Sequence, residues 1–349
     1  MKTAFFSAVL SGSIAASCAV SATENLTAHT SAPGVAVHLT IAHLAEVAAE
    51  RDIANIQITL GQTGANATLA VAEGKADIGI CPFVLPFLMS KGIGPYAAMG
   101  PEKGAELAAN LRILYPYSFG AYLLYAYDTV GVQGWNDLEG RRILNGPPRG
   151  GATAEARGLI QVVTGLEDGK GYEGIQSDWS QMATTITEGS SDVALLPEFV
   201  PSDRPLQALS AGKMTFWSIP KDIYEGEAMQ KVLAAPGSAP VEFTLEQMQT
   251  LGENASIASE DGVFRTRGTV GGNCVNASMD EELAYQLTKA HIENLESIKT
   301  VAPFMATLNY GVIDPKVAGL CGPNPVKFHP GAVRAWEEAG HKIADCAKP

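Results

Sequence analysis

One short segment occurs twice in the chain, and it constrains the fold more than any other feature. Residues 73–83 read EGKADIGICPF and residues 188–199 read EGSSDVALLPEF, with Glu, Gly, Asp and Pro at the same relative positions. The glycine suits the left-handed position after a helix, and the apolar run after the aspartate is too short for a helix. Each copy therefore predicts a helix end, a turn, a buried strand and a loop at the strand's carboxyl end.

The loops that end the two copies predict a cleft. In open α/β sheets the loops at the carboxyl ends of the strands line the ligand crevice. If both copies follow this rule, Pro82 and Phe83 face Pro197, Glu198 and Phe199 across that crevice. The alternative is a common helix–strand motif that occurs twice without any symmetry.

Composition limits the class of protein and its partners. The length of 349 residues suggests about two domains, and 46% hydrophobic with 17% charged residues is typical of a globular core. The net charge of −13 argues against nucleic acids and anionic membrane surfaces as partners, but it does not exclude a small anionic ligand. We expect a monomer without a metal or cofactor.

The N-terminus has the pattern of a secretory signal peptide. Lys2 precedes an apolar and small-residue run over 4–16, and small residues then lead to a cleavage site after Ala22. Acylation of Cys18, as in a lipoprotein, is the alternative. No later stretch reaches 18 consecutive apolar residues, so we expect a soluble, periplasmic mature chain.

Four cysteines follow the predicted signal peptide. Cys321 and Cys346 bracket the C-terminal segment and are the preferred disulfide pair in an exported protein. Cys81 either pairs with Cys274 or both remain free buried thiols.

Periodicity predicts two βαβαβ units. The first runs through strands at Leu26–Thr30 and Ile56–Leu60 and helices ending near Arg51 and Glu73. The second has a strand ending at Leu144, helices at 152–163 and 182–188, a short strand within 171–179, and a strand at 192–196. Further predicted strands are 112–117, 121–127, 214–219, 255–259 and 262–267, and further predicted helices are 280–297 and 329–346. Such βαβ runs imply parallel sheets.

The two units predict an α/β protein of two lobes with a hinge between them. We assign residues 23–121 and 214–349 to lobe I and the inserted residues 122–213 to lobe II. A cleft between such lobes closes around a ligand by hinge motion.

The strongest local signal for chemistry is the turn Arg149-Gly150-Gly151-Ala152-Thr153. Two glycines allow backbone amides to approach a ligand, and the following helix presents unsatisfied N–H groups. An arginine binds a carboxylate through two parallel hydrogen bonds. The alternative is an ordinary turn with an arginine in solvent.

Other candidate ligand contacts lie in the corresponding turns and among the aromatic residues. The turn residues are Thr30, Ser31, Gln62, Thr63, Gly64, Ala65 and Asn66, and the aromatic residues are Phe83, Tyr117, Trp179 and Phe199. Pro197 and Glu198 follow the second buried run, and Glu198 is a candidate acceptor for a ligand amine or else a hinge or surface residue. Helix capping and core packing are the ordinary roles of these residue types.

Enzyme signatures are absent from the sequence. It has no Gly-x-Ser-x-Gly, His-Glu-x-x-His, Gly-x-Gly-x-x-Gly or Walker-type motif. The six histidines include no i, i+4 pair suited to a metal. We therefore expect a binding protein, with a secreted enzyme on the same fold as a rival.

Several of these motifs, taken in order, resemble the TAXI family of extracytoplasmic solute receptors of TRAP (tripartite ATP-independent periplasmic) transporters. They are the segment TGANATL at 63–69, EGKADIGI at 73–80 and DLEGRR at 137–142, which precedes the glycine-rich turn. The resemblance covers roughly 26–220, and single motifs also occur in other type II periplasmic binding proteins.

The resemblance implies a type II periplasmic binding protein fold and a small carboxylate held by the turns at 30–31, 62–66 and 149–153. It also implies delivery to a membrane-embedded TRAP permease. The sequence departs from the family pattern in all three turns, where paired glycines with an aromatic, Gly-Gly-Ser and Gly-Ser-Gly-Thr are usual. The substrate therefore need not be the usual one. A substrate-binding protein of an ABC importer, of the sulfonate or pyrimidine-precursor type, is the alternative.

Overall fold

The computed structural model describes residues 23–148, 150–308, 310–311 and 320–349. The predicted signal segment 1–22, with Cys18, and the predicted ligand residue Arg149 lie outside the described residues.

The described strands and helices alternate in the first half of the chain. The strands are β1 Glu24–His29, β2 Ala54–Thr59, β3 Ile78–Pro82, β4 Leu111–Tyr127, β5 Arg142–Leu144, β6 Glu173–Ile175, β7 Val193–Glu198, β8 Met214–Trp217, β9 Ser238–Thr244, β10 Ala255–Ala258, β11 Val263–Asn276 and β12 Lys327–Phe328. The helices are α1 Ala36–Glu50, α2 Gly64–Ala72, α3 Val84–Lys91, α4 Gly100–Ala109, α5 Gly151–Thr164, α6 Met182–Thr187, α7 Asp203–Ala211, α8 Lys221–Glu225, α9 Glu227–Leu233, α10 Leu245–Gln249, α11 Glu281–Glu293, α12 Leu295–Ile298 and α13 Pro330–Glu338. The predicted α/β class is confirmed.

The repeated segment forms the same structure in both places. Gly74 and Gly189 have φ angles of 69° and 70°, the left-handed conformation that ends α2 and α6. Asp77 Oδ2 then accepts a hydrogen bond from the backbone N–H of Thr27 in β1, at 2.7 Å. Asp192 Oδ2 accepts the equivalent bond from the N–H of Arg142 in β5, at 2.9 Å. The recurring aspartate thus ties each turn to the strand beside it.

Both predicted βαβαβ units are present, each with a parallel three-stranded core. Strand β1 pairs in parallel with β2 and β3, and β5 pairs in parallel with β6 and β7. In each unit the first strand is central, so its carboxyl end lies between the ends of its two neighbours.

Two long antiparallel strands join the units. Among the described strands the main sheet order is β2-β1-β3-β11-β4-β7-β5-β6. The predicted strands 112–117 and 121–127 are one strand, β4, because β11 pairs along it with a register shift between Gly268 and Val270. The predicted strand 262–267 likewise continues to Asn276. The result is a curled sheet flanked by helices.

Two predicted helices are wrong in extent. The helix expected over 280–297 ends at Glu293, and α12 follows after Asn294. The helix expected over 329–346 ends at Glu338, because Gly340 adopts a φ of 87° and turns the chain.

The buried apolar side chains of the described residues form three clusters. One is built on β1, β3 and the first half of β4 and includes Ile41 and Ile78. The second packs α5 on one face of β7, and the third packs α6 and α7 on its other face. Met214 and Phe216 of β8 belong to the third cluster. The division into 23–121 with 214–349 and 122–213 stays a prediction.

Cysteine pairing follows one of the arrangements considered from the sequence. Cys321 and Cys346 form a disulfide with their Cα atoms 5.4 Å apart. Cys81 and Cys274 are free and buried, and burial raises the pKa of the Cys274 thiol well above its ordinary value. None of the helices in the described part of the chain has the length and apolarity needed to cross a bilayer.

Candidate functional site

A cavity of about 560 Å³ lies where the carboxyl ends of the strands of both units meet. Its walls come from the loops after β1, β2, β3, β5 and β7, from the segment that leads into α6, from β4 and β11, and from Phe304. The volume falls within the range typical of pockets for small organic ligands. The residues that line it are Ser31, Ala32, Pro33, Gly34, Val35, Ala36, Val37, Thr63, Gly64, Ala65, Ile80, Pro82, Val84, Leu85, Phe119, Tyr122, Pro147, Gly150, Gly151, Ala152, Glu155, Trp179, Ser180, Ala183, Pro197, Glu198, Phe199, Ser202, Asp203, Arg204, Gln207, Thr269 and Phe304.

Eleven of the predicted ligand residues are brought together around this cavity. They are Ser31, Thr63, Gly64, Ala65, Gly150, Gly151, Ala152, Trp179, Pro197, Glu198 and Phe199. Thr30, Gln62, Asn66, Phe83, Tyr117 and Thr153 lie outside the lining. The loops of the two repeated segments thus meet, as Pro82 and Pro197 both reach the cavity.

Three of the residues outside the lining, Phe83, Tyr117 and Thr153, have structural partners, whereas the Thr30 hydroxyl is buried without a hydrogen-bond partner among the described residues. The side chains of Phe83 and Tyr117 are fully buried in the first cluster, and the Tyr117 hydroxyl donates to Asn273 Oδ1 at 2.9 Å. The Thr153 hydroxyl donates to the carbonyl of Pro147. Phe119, which stacks on Tyr117 with ring centroids 4.9 Å apart, reaches the cavity instead.

Helix starts face the cavity from both units. Thr63 caps α2 by accepting from the N–H of Asn66 at 3.2 Å. No described side chain caps α1 or α5, whose N-cap residues are Val35 and Gly150. A helix start carries about half a positive charge, which favours an anion close by.

The two units touch at the rim of the cavity. A Cβ added to Gly151 at the start of α5 would lie 3.1 Å from Val84 Cγ1 at the start of α3. Phe199 after β7 stacks on Phe304, with ring centroids 5.8 Å apart. These contacts hold the cavity between chain segments that are far apart in sequence.

Glu198 is held by three donors. Its Oε1 lies 2.6 Å from Arg204 Nη1 and accepts from the Tyr125 hydroxyl at 2.9 Å, while Oε2 accepts from Ser202 at 3.1 Å. Burial raises the pKa of Glu198, and Arg204, Tyr125 and Ser202 oppose that rise. Glu198 is therefore neither a surface residue nor an unpaired acceptor for an amine.

A second buried ion pair was not predicted from the sequence. Glu155 Oε1 on α5 lies 2.9 Å from Arg267 Nη2 on β11, and these side chains are 7% and 4% exposed. Glu155 Oε2 also accepts from the hydroxyls of Tyr122 at 2.9 Å and Thr269 at 3.0 Å. The pair joins residues 112 positions apart, and no local pattern in the sequence links them.

Arg204 is another polar residue of the lining that sequence reasoning missed. Its guanidinium carbon lies 5.3 Å from the centre of the Trp179 ring, within the range of a cation–π contact. Arg204 is the second residue of α7, which begins after Ser202. Only this position, close to the end of β7, indicates that Arg204 lies near the site. Within the described residues, no cluster of His, Cys, Asp or Glu could hold a metal ion.

The comparisons with known proteins concern the family and the fold. The sequence pattern of the NMT1-like family matches residues 26–340. A structure from Bordetella bronchiseptica RB50 superposes with a TM-score of 0.53 at 14% identity, covering 91% of this chain and 99% of that one. This likeness shows a shared fold.

Weaker structural likenesses include transport proteins of two kinds. The periplasmic aliphatic sulphonate binding protein SsuA from Escherichia coli has a TM-score of 0.42 at 11% identity, covering 81% of this chain and 78% of that one. A TRAP periplasmic solute binding protein from Desulfovibrio salexigens with bound orotic acid has a TM-score of 0.45 at 9% identity, covering 79% and 78%. No curated protein sequence matches the chain significantly.

Proposed function

The chain belongs to the NMT1-like family, and on that premise we propose that it is an extracytoplasmic solute-binding protein that captures a small organic anion in the cavity. The observation that supports this most is the convergence of the loops from both repeated segments on one cavity. Ligand crevices in open α/β sheets lie at such strand ends.

The anion would be held mainly by backbone amides. The uncapped starts of α1 and α5 face the cavity, and Gly150 and Gly151 allow the backbone to approach the ligand closely. Arg149 precedes these glycines in the sequence and would add a charged partner for a carboxylate.

Capture would be coupled to closure of the cavity. The contacts of Gly151 with Val84 and of Phe199 with Phe304 join the two units at the cavity rim. A ligand that contacts both sides would stabilise a closed form, and a membrane component would recognise that form.

We propose a TRAP permease of the TAXI class as the membrane partner and the periplasm as the location. The motifs at 63–69, 73–80 and 137–142 favour this assignment. Genes adjacent to the coding sequence test it, because a large multi-span permease indicates TRAP whereas an ATPase subunit indicates an ABC importer.

A thermal-shift screen of the purified exported protein tests the receptor function. The panel contains small carboxylates, amino acids, sulfonates and pyrimidines. A ligand at 100 times its dissociation constant adds about 2.7 kcal/mol to the free energy of unfolding. No shift with any compound, together with no small molecule released on denaturation as judged by mass spectrometry, would contradict the proposed function.

A further inference from the structure

The walls of the cavity are largely apolar. Val84 and Leu85 contribute aliphatic surface, and Phe119, Trp179, Phe199 and Phe304 contribute aromatic rings. These side chains surround the space between the helix starts of the two units. A ligand with an apolar body would replace water along them and gain affinity from their desolvation.

The charged side chains of the described lining leave little room for a second anionic group. Three of them are carboxylates, Glu155, Glu198 and Asp203, and one is a guanidinium, Arg204. Arg204 already pairs with Glu198 at 2.6 Å, and Glu155 pairs with Arg267 in the wall behind it at 2.9 Å. A second carboxylate on the ligand would therefore meet negative side chains, two of which, Glu155 and Glu198, already hold their arginines in ion pairs.

An ammonium group on the ligand finds no unpaired carboxylate at Glu155 or Glu198. The oxygens of Glu155 and Glu198 accept hydrogen bonds from Tyr122, Thr269, Tyr125 and Ser202, and each carboxylate also forms an ion pair with its arginine. Drawing either carboxylate toward a ligand amine would weaken its ion pair with the buried Arg267 or the half-buried Arg204, which is costly.

Resting on the proposed function, we propose that the ligand is a monocarboxylate with an uncharged, apolar body, of the size of a medium-chain or aryl-substituted acid. Its carboxylate lies at the helix starts, and its body lies against the aromatic and aliphatic side chains. The 560 Å³ cavity admits such a body without rearrangement of the two ion pairs.

A homologous series tests this inference by isothermal titration calorimetry on the purified exported protein. Unbranched monocarboxylates from butanoate to octanoate are compared with octanedioate and with 2-aminooctanoate. Each added methylene is expected to lower the dissociation constant about fourfold, which corresponds to about 0.8 kcal/mol per buried methylene. Octanedioate is expected to bind at least about 100-fold more weakly than octanoate because its second carboxylate is buried without a partner.

A wall variant separates contact with the ligand's body from recognition of its head group. Phe119→Ala is expected to weaken octanoate binding about tenfold and butanoate binding less than about twofold, because only the longer acid reaches the ring. The matched control is Phe87→Ala on α3, a half-buried aromatic outside the lining, which is expected to leave both affinities unchanged.

The outcomes distinguish this inference from the receptor function itself. Octanedioate or amino acids binding more tightly than octanoate would overturn the proposal of an apolar monocarboxylate ligand but not the proposed receptor function. An affinity that does not change with chain length would have the same meaning. Octanesulfonate binding more tightly than octanoate would overturn the carboxylate head group. Binding of no compound in any class, with no co-purified ligand, would overturn the proposed function.

Discussion

Gly151 and Val84 meet across the rim of the cavity, and a Cβ on Gly151 would lie only 3.1 Å from Val84 Cγ1. Gly151 begins helix α5 and Val84 begins helix α3. These helices follow strands of the two different βαβαβ units. Glycine at position 151 therefore lets two helix starts approach at the place where a ligand would be enclosed.

Replacement of Gly151 by valine should weaken ligand binding. The added methyl groups would push α5 away from Val84, so the dissociation constant is expected to rise at least about tenfold. The control is Gly158→Ala on the same helix, where an added Cβ meets no atom within 4 Å. This control should bind normally and gain about 0.5–1 kcal/mol in the free energy of unfolding. Unchanged binding by Gly151→Val would contradict a closed rim at this contact.

Removal of Arg149 should weaken carboxylate binding. Arg149→Ala is expected to cost about 1.5–3 kcal/mol of binding free energy, as for loss of a charge-assisted hydrogen bond. Arg51→Ala is the control, because Arg51 pairs with Glu293 at the end of α1, away from the cavity. Calorimetric titration of both variants with the same ligand gives the comparison, and an unchanged dissociation constant for Arg149→Ala would remove Arg149 from the site.

The buried pair of Glu155 and Arg267 should be strongly coupled. Arg267→Met leaves Glu155 buried without its cation and is expected to destabilise the protein by about 3–5 kcal/mol. The double variant Glu155→Gln with Arg267→Met should be more stable than this single variant, because no unpaired charge remains. Urea denaturation measures both, and a loss below about 1 kcal/mol for Arg267→Met would show that the pair is not a structural unit.

The repeated segments were the part of the fold that the sequence could predict. Their glycines and aspartates act locally, through a left-handed turn and a bond to the adjacent strand, so β3 and β7 could be located from the sequence alone. The turns that line the cavity could also be predicted, because they begin at the ends of predicted strands. Phe83 was misplaced because a strand-end residue can point either to the cleft or to the core, and its side chain is fully buried.

Long-range pairing was the part that the sequence could not predict. Ser118-Phe119-Gly120 reads as a break between two strands, yet β11 pairs on both sides of it and makes β4 continuous. The pairing of Glu155 with Arg267 depends on the same arrangement, because the sheet order brings α5 and β11 together although they are far apart in sequence. Neither hydrophobic period nor motif spacing contains this information.

The stability of the protein should fall with acid through His291. Burial, with a contribution from nearby His43, lowers the pKa of His291 to about 3 from an ordinary value of 6.5. The folded state therefore binds fewer protons than the unfolded state between pH 3 and 6.5. The contribution of neutral His291 to the free energy of unfolding is complete above pH 6.5 and is lost as the pH falls toward 3. Within this range the free energy of unfolding changes by up to about 1.4 kcal/mol per pH unit because of His291.

Urea midpoints measured from pH 7 to pH 4 test this dependence. His291→Phe, which preserves a flat ring against Tyr115, should reduce the slope of stability with pH. His341→Gln, at an exposed position, is the control and should retain the parental slope. An identical slope for His291→Phe would show that His291 is not held neutral in the fold.

A crystal structure of the protein with the tightest-binding acid from the screen tests the central claim most directly. We expect ligand density inside the cavity, with its carboxylate at the starts of α1 and α5 and its body against Phe119 and Trp179. Density at another surface, or an empty cavity in crystals grown at a saturating concentration of a ligand that binds in solution, would contradict the assignment of this cavity as the binding site.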